Sequence, residues 1–568
     1  MALIENIKQI ISGYIEEQYG IPPSTTLGHF EKPKHREHGD ISLPYFFIAK
    51  EKGINPNTAG RDADNIRERF GLDTSSTAGP YLNIAIPAEK KIADTLERIR
   101  LETAAFGRVA GLEGSTVVID FSSPNIAKPF GVGHLRSTVI GNALASFYGH
   151  AGCNVVKLNH LGDWGKQFGL LDVAYTMWGD EKELQKDPIL YLYDLYVKIN
   201  KLIEEGDEAL DEKGREAFRR LEQGESEYVE RWQRFRELSI EEFKRVYSRL
   251  GISFDSYDGE AFYNDKIDDT IDRMHQKGLI HESRGAQVVD LEDRGLGTAI
   301  IRKSNGSTTY LARDICAAEY RFTAYAFDRM LYVVGQPQEL HFNQLSAVLH
   351  RMGYEWADRL EHVMFGYIRG MSTRKGTVVF LDDVLEEARD RVLKRMDQLF
   401  IQKVDSEDME RTAEDIGVTA VLFSDMKSRR IKDIDFDWDR MLSLKGDTGP
   451  YLQNVLARIF GIFRKAAVPL PGGTVDYSLL DEEKALEIID KLGTYPSVMD
   501  DVIRLNEPSL ISGYLLELAS LFHSAYPVLT VKGSETNLAQ ARLLLFDCVK
   551  QVFINAFSLL GFRVLEEM

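Results

Sequence analysis

Cysteine is scarce. Cys153, Cys316 and Cys548 are the only three in 568 residues, and they lie far apart in the chain. Three scattered thiols make neither a disulfide framework nor a four-thiolate zinc site, and they suit a reducing cytosol. Glycine and proline are modest, at 45 and 17 residues, which excludes collagen-like and low-complexity classes. No uninterrupted apolar run approaches the roughly 18 residues that span a bilayer, so no membrane partner is expected. The start, Met1-Ala2-Leu3-Ile4-Glu5, is neither a secretory signal nor an Arg-rich transit peptide, and the expected location is cytoplasmic. Positive charge is also short: 69 Lys and Arg against 88 Asp and Glu give a net charge of −19. That argues mildly against nucleic acid, because phosphate contacts need cations, yet a local basic face can still bind RNA in an acidic chain.

At roughly 100–200 residues per domain, the length predicts three or four domains. Residues 1–110 read as a small α+β module, with amphipathic helices over 3–18 and 88–104 and a strand over 81–86. Its charged segment Lys32 to Asp40 has an ordinary reading as a solvated loop. Residues 111–410 alternate strand and helix, which predicts a parallel-sheet α/β domain. Strands are expected at 116–121, 154–158, near 308–311, 330–334 and 362–365, with helices at 312–325 and 339–352 and a charged helical insertion at about 185–250. Beyond 410 strand signals vanish. Helical patterns at about 414–430, 449–466, 481–492, 508–526 and 536–560 make 411–568 an all-α domain.

Two loops carry chemistry. Ser122 to Thr138 (SSPNIAKPFGVGHLRST) lies between a strand and its helix, where open α/β sheets bind ligands. Gly131 and Gly133 let a ligand approach the backbone, the helix start offers N–H groups to phosphates, and Lys128 and His134 add charge or donors. A plain strand-to-helix turn is the ordinary alternative. The second loop, Gly366 to Thr377 (GYIRGMSTRKGT), is glycine-punctuated and cationic, suited to folding over a triphosphate; by itself it also reads as a surface loop. In the helical domain, Tyr451, Arg458 and Arg464 fall 7 and 6 residues apart on one helix, so Tyr451 and Arg458 share a face. Lys427, Arg429, Arg430 and Lys432 precede them. This combination suits unstacked RNA bases; the alternative is a core tyrosine with solvated arginines.

Together the motifs resemble those of a known family. Gly131-Val132-Gly133-His134 is similar to the class I synthetase HIGH signature, and Met371-Ser372-Thr373-Arg374-Lys375 to its KMSKS partner. The flanking Ser122 to Phe130, Asn159 to Gly169 and Gly446 to Gln453 resemble arginyl-tRNA synthetases, and the likeness covers nearly the whole chain. It implies a multidomain α/β fold: a Rossmann-like catalytic domain, an N-terminal module that meets tRNA, and an all-α anticodon-binding domain. It implies attachment of arginine to tRNA(Arg) through an arginyl-adenylate, with activation that needs bound tRNA. ATP enters with Mg²⁺ bridging its phosphates, and no structural metal is expected. Lys128, His134, Arg374 and Lys375 would stabilise the transition state; Gly131, Gly133, His134, Met371 and Ser372 would bind ATP. Tyr310, Asp314 and Gln338 would take the arginine side chain, with Asp120, Ser122 and Asn125 as further arginine contacts, Asp120 and Asn125 at the α-amino end. Asn83, Tyr451, Arg458 and Arg464 would meet tRNA, and the enzyme is expected to be a monomer.

The chain departs from the family pattern in places. Gly131 stands where histidine is usual, the second signature lacks its leading lysine, for which Lys128 is thought to substitute, and Asn454 stands where tyrosine is frequent. Another class I synthetase, or a catalytically silent RNA-binding paralogue, stays open at this point.

Overall fold

The computed structural model describes residues 3–33, 35, 38–75, 79–128, 130–370, 380–399, 406–473 and 475–568. Two compact units emerge. One comprises Met1–Phe106, Ile462–Thr494 and Ser520–Val552; the other comprises Gly107–Gly461, Tyr495–Ala519 and Phe553–Met568.

The first unit holds an antiparallel sheet of β1 (Ile41–Pro44), β2 (Asp73–Ser75) and β3 (Tyr81–Ala85), ordered β1-β3-β2. The helix Leu3–Tyr19 places Ile7, Ile11 and Ile15 four residues apart, one stripe that packs on Leu43, Leu82 and Ile84 of the sheet. Asn83 pairs with both Ser42 and Ser75, so it sits on the central strand.

The second unit is built on a four-stranded parallel sheet of β4 (Thr116–Asp120), β5 (Asn154–Leu158), β9 (Arg329–Tyr332) and β10 (Leu360–His362), ordered β10-β9-β4-β5. The register sets Leu158, Asp120, Tyr332 and His362 in one row across the carboxyl edge. The helix Leu135–His150 is buried on almost every side and crosses close to the sheet at Gly141, where a Cβ would stand 2.3 Å from the Phe121 ring. A glycine is needed there for packing, not for backbone freedom.

The insertion is helical, with helices Glu181–Lys186, Pro188–Glu204, Glu208–Glu222 and Ser226–Leu250. An antiparallel sheet of β6 (His281–Ser283), β7 (Ala286–Asp290) and β8 (Thr298–Arg302) follows, which the sequence reading did not anticipate. The strand expected near 308–311 is also absent. Thr309 Oγ1 accepts the Ala312 N–H, and this cap starts a helix at Tyr310, leaving Thr308 as a lone bridge to Arg302. Strand does occur beyond 410: β12 (Ile434–Asp435) pairs in parallel with β11 (Ile368–Arg369). A helix at Tyr495–Leu505 was missed as well. The helix Thr536–Leu560 contains an 18-residue window of mean hydropathy 1.6, long and apolar enough to cross a membrane, and 72% of that window is buried inside the protein. Burial of that kind is how a core helix looks. All three cysteines are buried and free.

Candidate active site

Between β4 and the helix Leu135–His150, three non-glycine residues hold left-handed backbone: Ser122 (φ 74°), Ser123 (φ 49°) and Ala127 (φ 55°). Such conformations cost free energy and persist where surrounding bonds over-determine them. Those bonds are present. The Ser122 N–H donates to Ser137 Oγ at 2.9 Å, Ser123 N–H to Asn159 Oδ1 at 3.2 Å, and Ala127 N–H to Ser239 Oγ at 3.1 Å. Asn159 in turn donates to the Tyr247 hydroxyl at 2.9 Å. The segment Asn159 to Gly165 therefore buttresses the loop. Its Asp163 is buried, pairs with Arg236 at 2.8 Å and accepts the Ala261 N–H at 2.9 Å.

His134 Nδ1 lies 3.1 Å from the Ser122 carbonyl. A carbonyl only accepts, so Nδ1 carries the proton and Nε2 is the nitrogen left for other partners. Burial pulls the imidazole below its ordinary value, opposed by that backbone bond. Gly133 is exposed, and a Cβ there would meet nothing within 4 Å. Among the described residues no atom demands this glycine. Gly131 pairs as an isolated bridge with Phe380, where the chain leaves the second signature loop. Lys128 is half-buried, its ammonium 5.4 Å from the Tyr196 ring centroid. Asn125 is half-buried against Gly162. Met371, Ser372, Arg374 and Lys375 lie outside the described residues.

The expected side-chain pocket is built at two helix starts. Tyr310 opens the helix Tyr310–Tyr325 and is 64% exposed, with Asp314 one turn on. Gln338 is exposed just before the helix Glu339–Arg351. Asp314 Oδ2 lies 2.6 Å from His341 Nε2. Burial pushes the Asp314 carboxyl up, but His341, with His160 and Arg321, outweighs it and holds the group below its ordinary value.

Two expected contacts are already engaged. Asp120 Oδ2 meets the Arg321 guanidinium at 2.8 Å, both side chains almost fully buried, while Ser123 Oγ donates to Asp120 Oδ1 at 3.1 Å. Arg321 neutralises the charge that was to hold an α-amino group. The Ser122 hydroxyl is bonded to Tyr247 at 2.7 Å and Thr138 at 2.8 Å, which makes it a wiring residue rather than a ligand contact. Glu260 was missed. It stands 3.9 Å from Arg313, its Oε2 has no hydrogen-bond partner among the described residues, and burial pushes it up to about 7, with Arg313 opposing and Asp314 adding to the rise.

Asn83 is 2% exposed, and its Nδ2 has no partner among the described residues. A buried central-strand side chain offers RNA no surface in this structure, which corrects its reading as a tRNA contact. On the helix Gly449–Lys465, Tyr451 is half-buried and Arg458 exposed. Burial raises the Tyr451 hydroxyl and the Arg458 charge lowers it, as their shared face requires. Arg464 is exposed near the end of that helix and falls in the first unit. Of the upstream cations, Arg430 is spent on the fold: it donates to the carbonyls of Met364 at 2.6 Å and Asn506 at 3.1 Å.

Comparison with known proteins bears on this geometry. The family model described as "tRNA synthetases class I (R), catalytic domain" matches residues 96–438. The "Arginyl tRNA synthetase N terminal domain" matches 5–86, and the "DALR anticodon binding domain" matches 452–568. The chain is 42% identical to an arginine–tRNA ligase of Lactobacillus acidophilus, over 99% of this chain and 100% of that one. It is 41% identical to the cytoplasmic arginine–tRNA ligase of Saccharomyces cerevisiae, over 99% and 95% of the two chains. Its fold is similar to that of the arginyl-tRNA synthetase of Thermus thermophilus, with a TM-score of 0.81 at 22% identity and complete coverage of both chains.

Proposed function

The chain belongs to the arginyl-tRNA synthetase family and is an arginine–tRNA ligase, and from that premise we propose how its own residues divide the work. A carboxylate oxygen of arginine attacks the α-phosphorus of ATP and pyrophosphate leaves. A hydroxyl of the tRNA terminal ribose then takes the arginyl group and AMP leaves. No protein nucleophile enters either step. The chain's task is to position the substrates and to stabilise charge on the phosphates. His134, Lys128 and the backbone N–H groups of Gly131 and Gly133 face the triphosphate, joined by Met371, Ser372, Arg374 and Lys375 of the second signature. Mg²⁺ would accompany ATP as part of the substrate and help offset the phosphate charge, which needs no dedicated protein cage. The enzyme acts as a monomer in the cytoplasm.

The observation that carries the specificity is a charge balance. Arg321 pairs directly with Asp120 at 2.8 Å, whereas the direct partner of Asp314 among the described residues is His341, 2.6 Å from Oδ2, with His160 and Arg321 acting from farther off, and Oδ1 is left for substrate. Asp314 therefore takes the guanidinium, which carboxylates bind as a planar fork. Tyr310 and Gln338 border that group. Glu260, which Arg313 approaches no nearer than 3.9 Å and which has no hydrogen bond at Oε2 among the described residues, takes the α-ammonium in place of Asp120, and Asn125 stays at that end of the substrate. Asp314→Ala strands a guanidinium without its carboxylate, at a cost of about 2–5 kcal/mol. The KM for arginine should rise more than about 30-fold, near the lower end of that range, while the KM for ATP stays near wild type. An unchanged arginine KM would sink the assignment.

For tRNA, Tyr451 and Arg458 form an aromatic platform beside a cation. Arg458→Ala should flatten the salt dependence of tRNA affinity by roughly one unit of slope per phosphate contact. Tyr451→Ala should cost about 1–3 kcal/mol with little change in slope. Binding across a salt series separates the two. Variants that match wild type in both respects would move recognition elsewhere on the helix, first to Asn454.

A further inference from the structure

We propose that His341 is a positioning residue for arginine selection: its Nε2–H pins one oxygen of Asp314 so that the carboxylate plane presents itself to the substrate guanidinium. The inference rests on the reading of Asp314 as the guanidinium partner.

The geometry supports it from both sides of the pair. Asp314 sits in the first turns of its helix, half-buried, with Oδ2 2.6 Å from His341 Nε2. His341 lies three residues after Gln338, so the two share the starting face of the Glu339–Arg351 helix. The helix is held behind His341 by its neighbour Phe342, whose ring stands 4.5 Å from His362 and 4.9 Å from Tyr332. The imidazole thus comes from a fixed element.

A carboxylate with two free torsions accepts a planar fork poorly until one oxygen is fixed, and a preorganised donor removes that ordering cost from binding. The donor must be one that adds no permanent charge. A lysine or arginine at this position would form a closed ion pair, as Arg321 does with Asp120 at 2.8 Å, and would expel the substrate. The imidazole Nε2–H orients Asp314 without the permanent charge of a lysine or arginine.

The test is aminoacylation by His341→Ala, His341→Gln, Asp314→Ala and the Asp314→Ala/His341→Ala double variant, with thermal melting of each. His341→Ala should raise the arginine KM about tenfold, with kcat at saturating arginine and the ATP KM within about twofold of wild type; tenfold is about 1.4 kcal/mol. His341→Gln keeps an N–H donor at similar reach and should recover most of the loss. In the double variant, removing His341 should add nothing to the effect of Asp314→Ala, because the imidazole acts through that carboxylate. An arginine KM unmoved by His341→Ala, an equal rise in the ATP KM, or full additivity overturns the inference. If Asp314→Ala itself leaves the arginine KM unchanged, the reading of the pocket falls and this inference falls with it. If Asp314→Ala raises KM and His341→Ala does not, only the positioning role is lost.

Discussion

Replacing His134 with alanine is expected to lower kcat for adenylate formation by about 10²–10³, the scale of losing one preorganised donor, with a much smaller loss of ATP affinity. The reason lies in how the ring is held. Nδ1 is tied to the Ser122 carbonyl at 3.1 Å, and the Phe130 ring lies 5.8 Å away, so the imidazole has a fixed direction before ATP arrives. Burial lowers its pKa, so near neutral pH the free enzyme carries a neutral ring with a bare Nε2. A bare nitrogen repels a phosphate oxygen; a protonated one donates to it. The triphosphate favours the charged form, against the burial that disfavours it. ATP binding near neutral pH should therefore take up a proton, and the His134-dependent part of the rate should fall as pH rises. Single-turnover rates measure the first claim, and calorimetry in buffers of different ionisation heat measures the second. Near-normal rates for His134→Ala, or proton uptake that persists in that variant, would remove His134 from the chemistry.

Arg136→Leu should destabilise the protein by about 3–5 kcal/mol, the usual cost of breaking a buried ion pair by removing one partner. Arg136 and Asp425 are each 2% exposed, with Arg136 Nε 2.7 Å from Asp425 Oδ1. Its NH1 also donates to the carbonyls of Gly366 and Lys432, each at 2.8 Å. One guanidinium therefore joins the signature helix, the stem of the second signature loop and the segment that carries β12. Burial raises the Asp425 carboxyl, and Arg136 is what pulls it down. Without Arg136 that carboxyl must stay protonated to remain buried. A raised native pKa means that the folded state binds more protons than the unfolded one. The variant's stability should then fall as pH rises above the ordinary carboxylate range, and the deficit should be smaller at pH 5 than at pH 7. The double variant Arg136→Leu/Asp425→Leu should recover most of the loss. Melting curves of the two variants and wild type at both pH values decide this. A single variant as stable as wild type would show that the pair contributes little.

The first signature loop was legible in the sequence because its logic is local. A β-rich run, a glycine-spaced turn and a helical stripe from Leu135 place Gly131, Gly133 and His134 at a sheet edge in any parallel α/β fold. Tyr310 and Asp314 were legible for the same reason, since one helical turn puts them on one face. Arg321 lies seven residues beyond Asp314, nearly two turns, and His341 three beyond Gln338, so periodicity held a signal for both that went unread. Glu260 carried no such signal. It opens the short 3-10 helix Glu260–Tyr263 after the insertion, and only the packing of that turn near Arg313 and Asp314 brings it to the pocket.

The sequence by itself determined the class of machine: the parallel sheet, the two signatures in their order and the helical carboxyl-terminal stretch, because strand and helix periods and glycine spacing are properties of neighbouring residues. Only the tertiary structure decided which charges are free to meet a substrate. Asp120, Ser122 and Arg430 look like ligand contacts when read in line, and each is consumed by a partner from a distant segment: Arg321, Tyr247 and the Met364 carbonyl. Whether a charge is spent or available depends on pairing across the fold. A buried group must be compensated by whatever the chain brings next to it, and no local spacing records which residue that is.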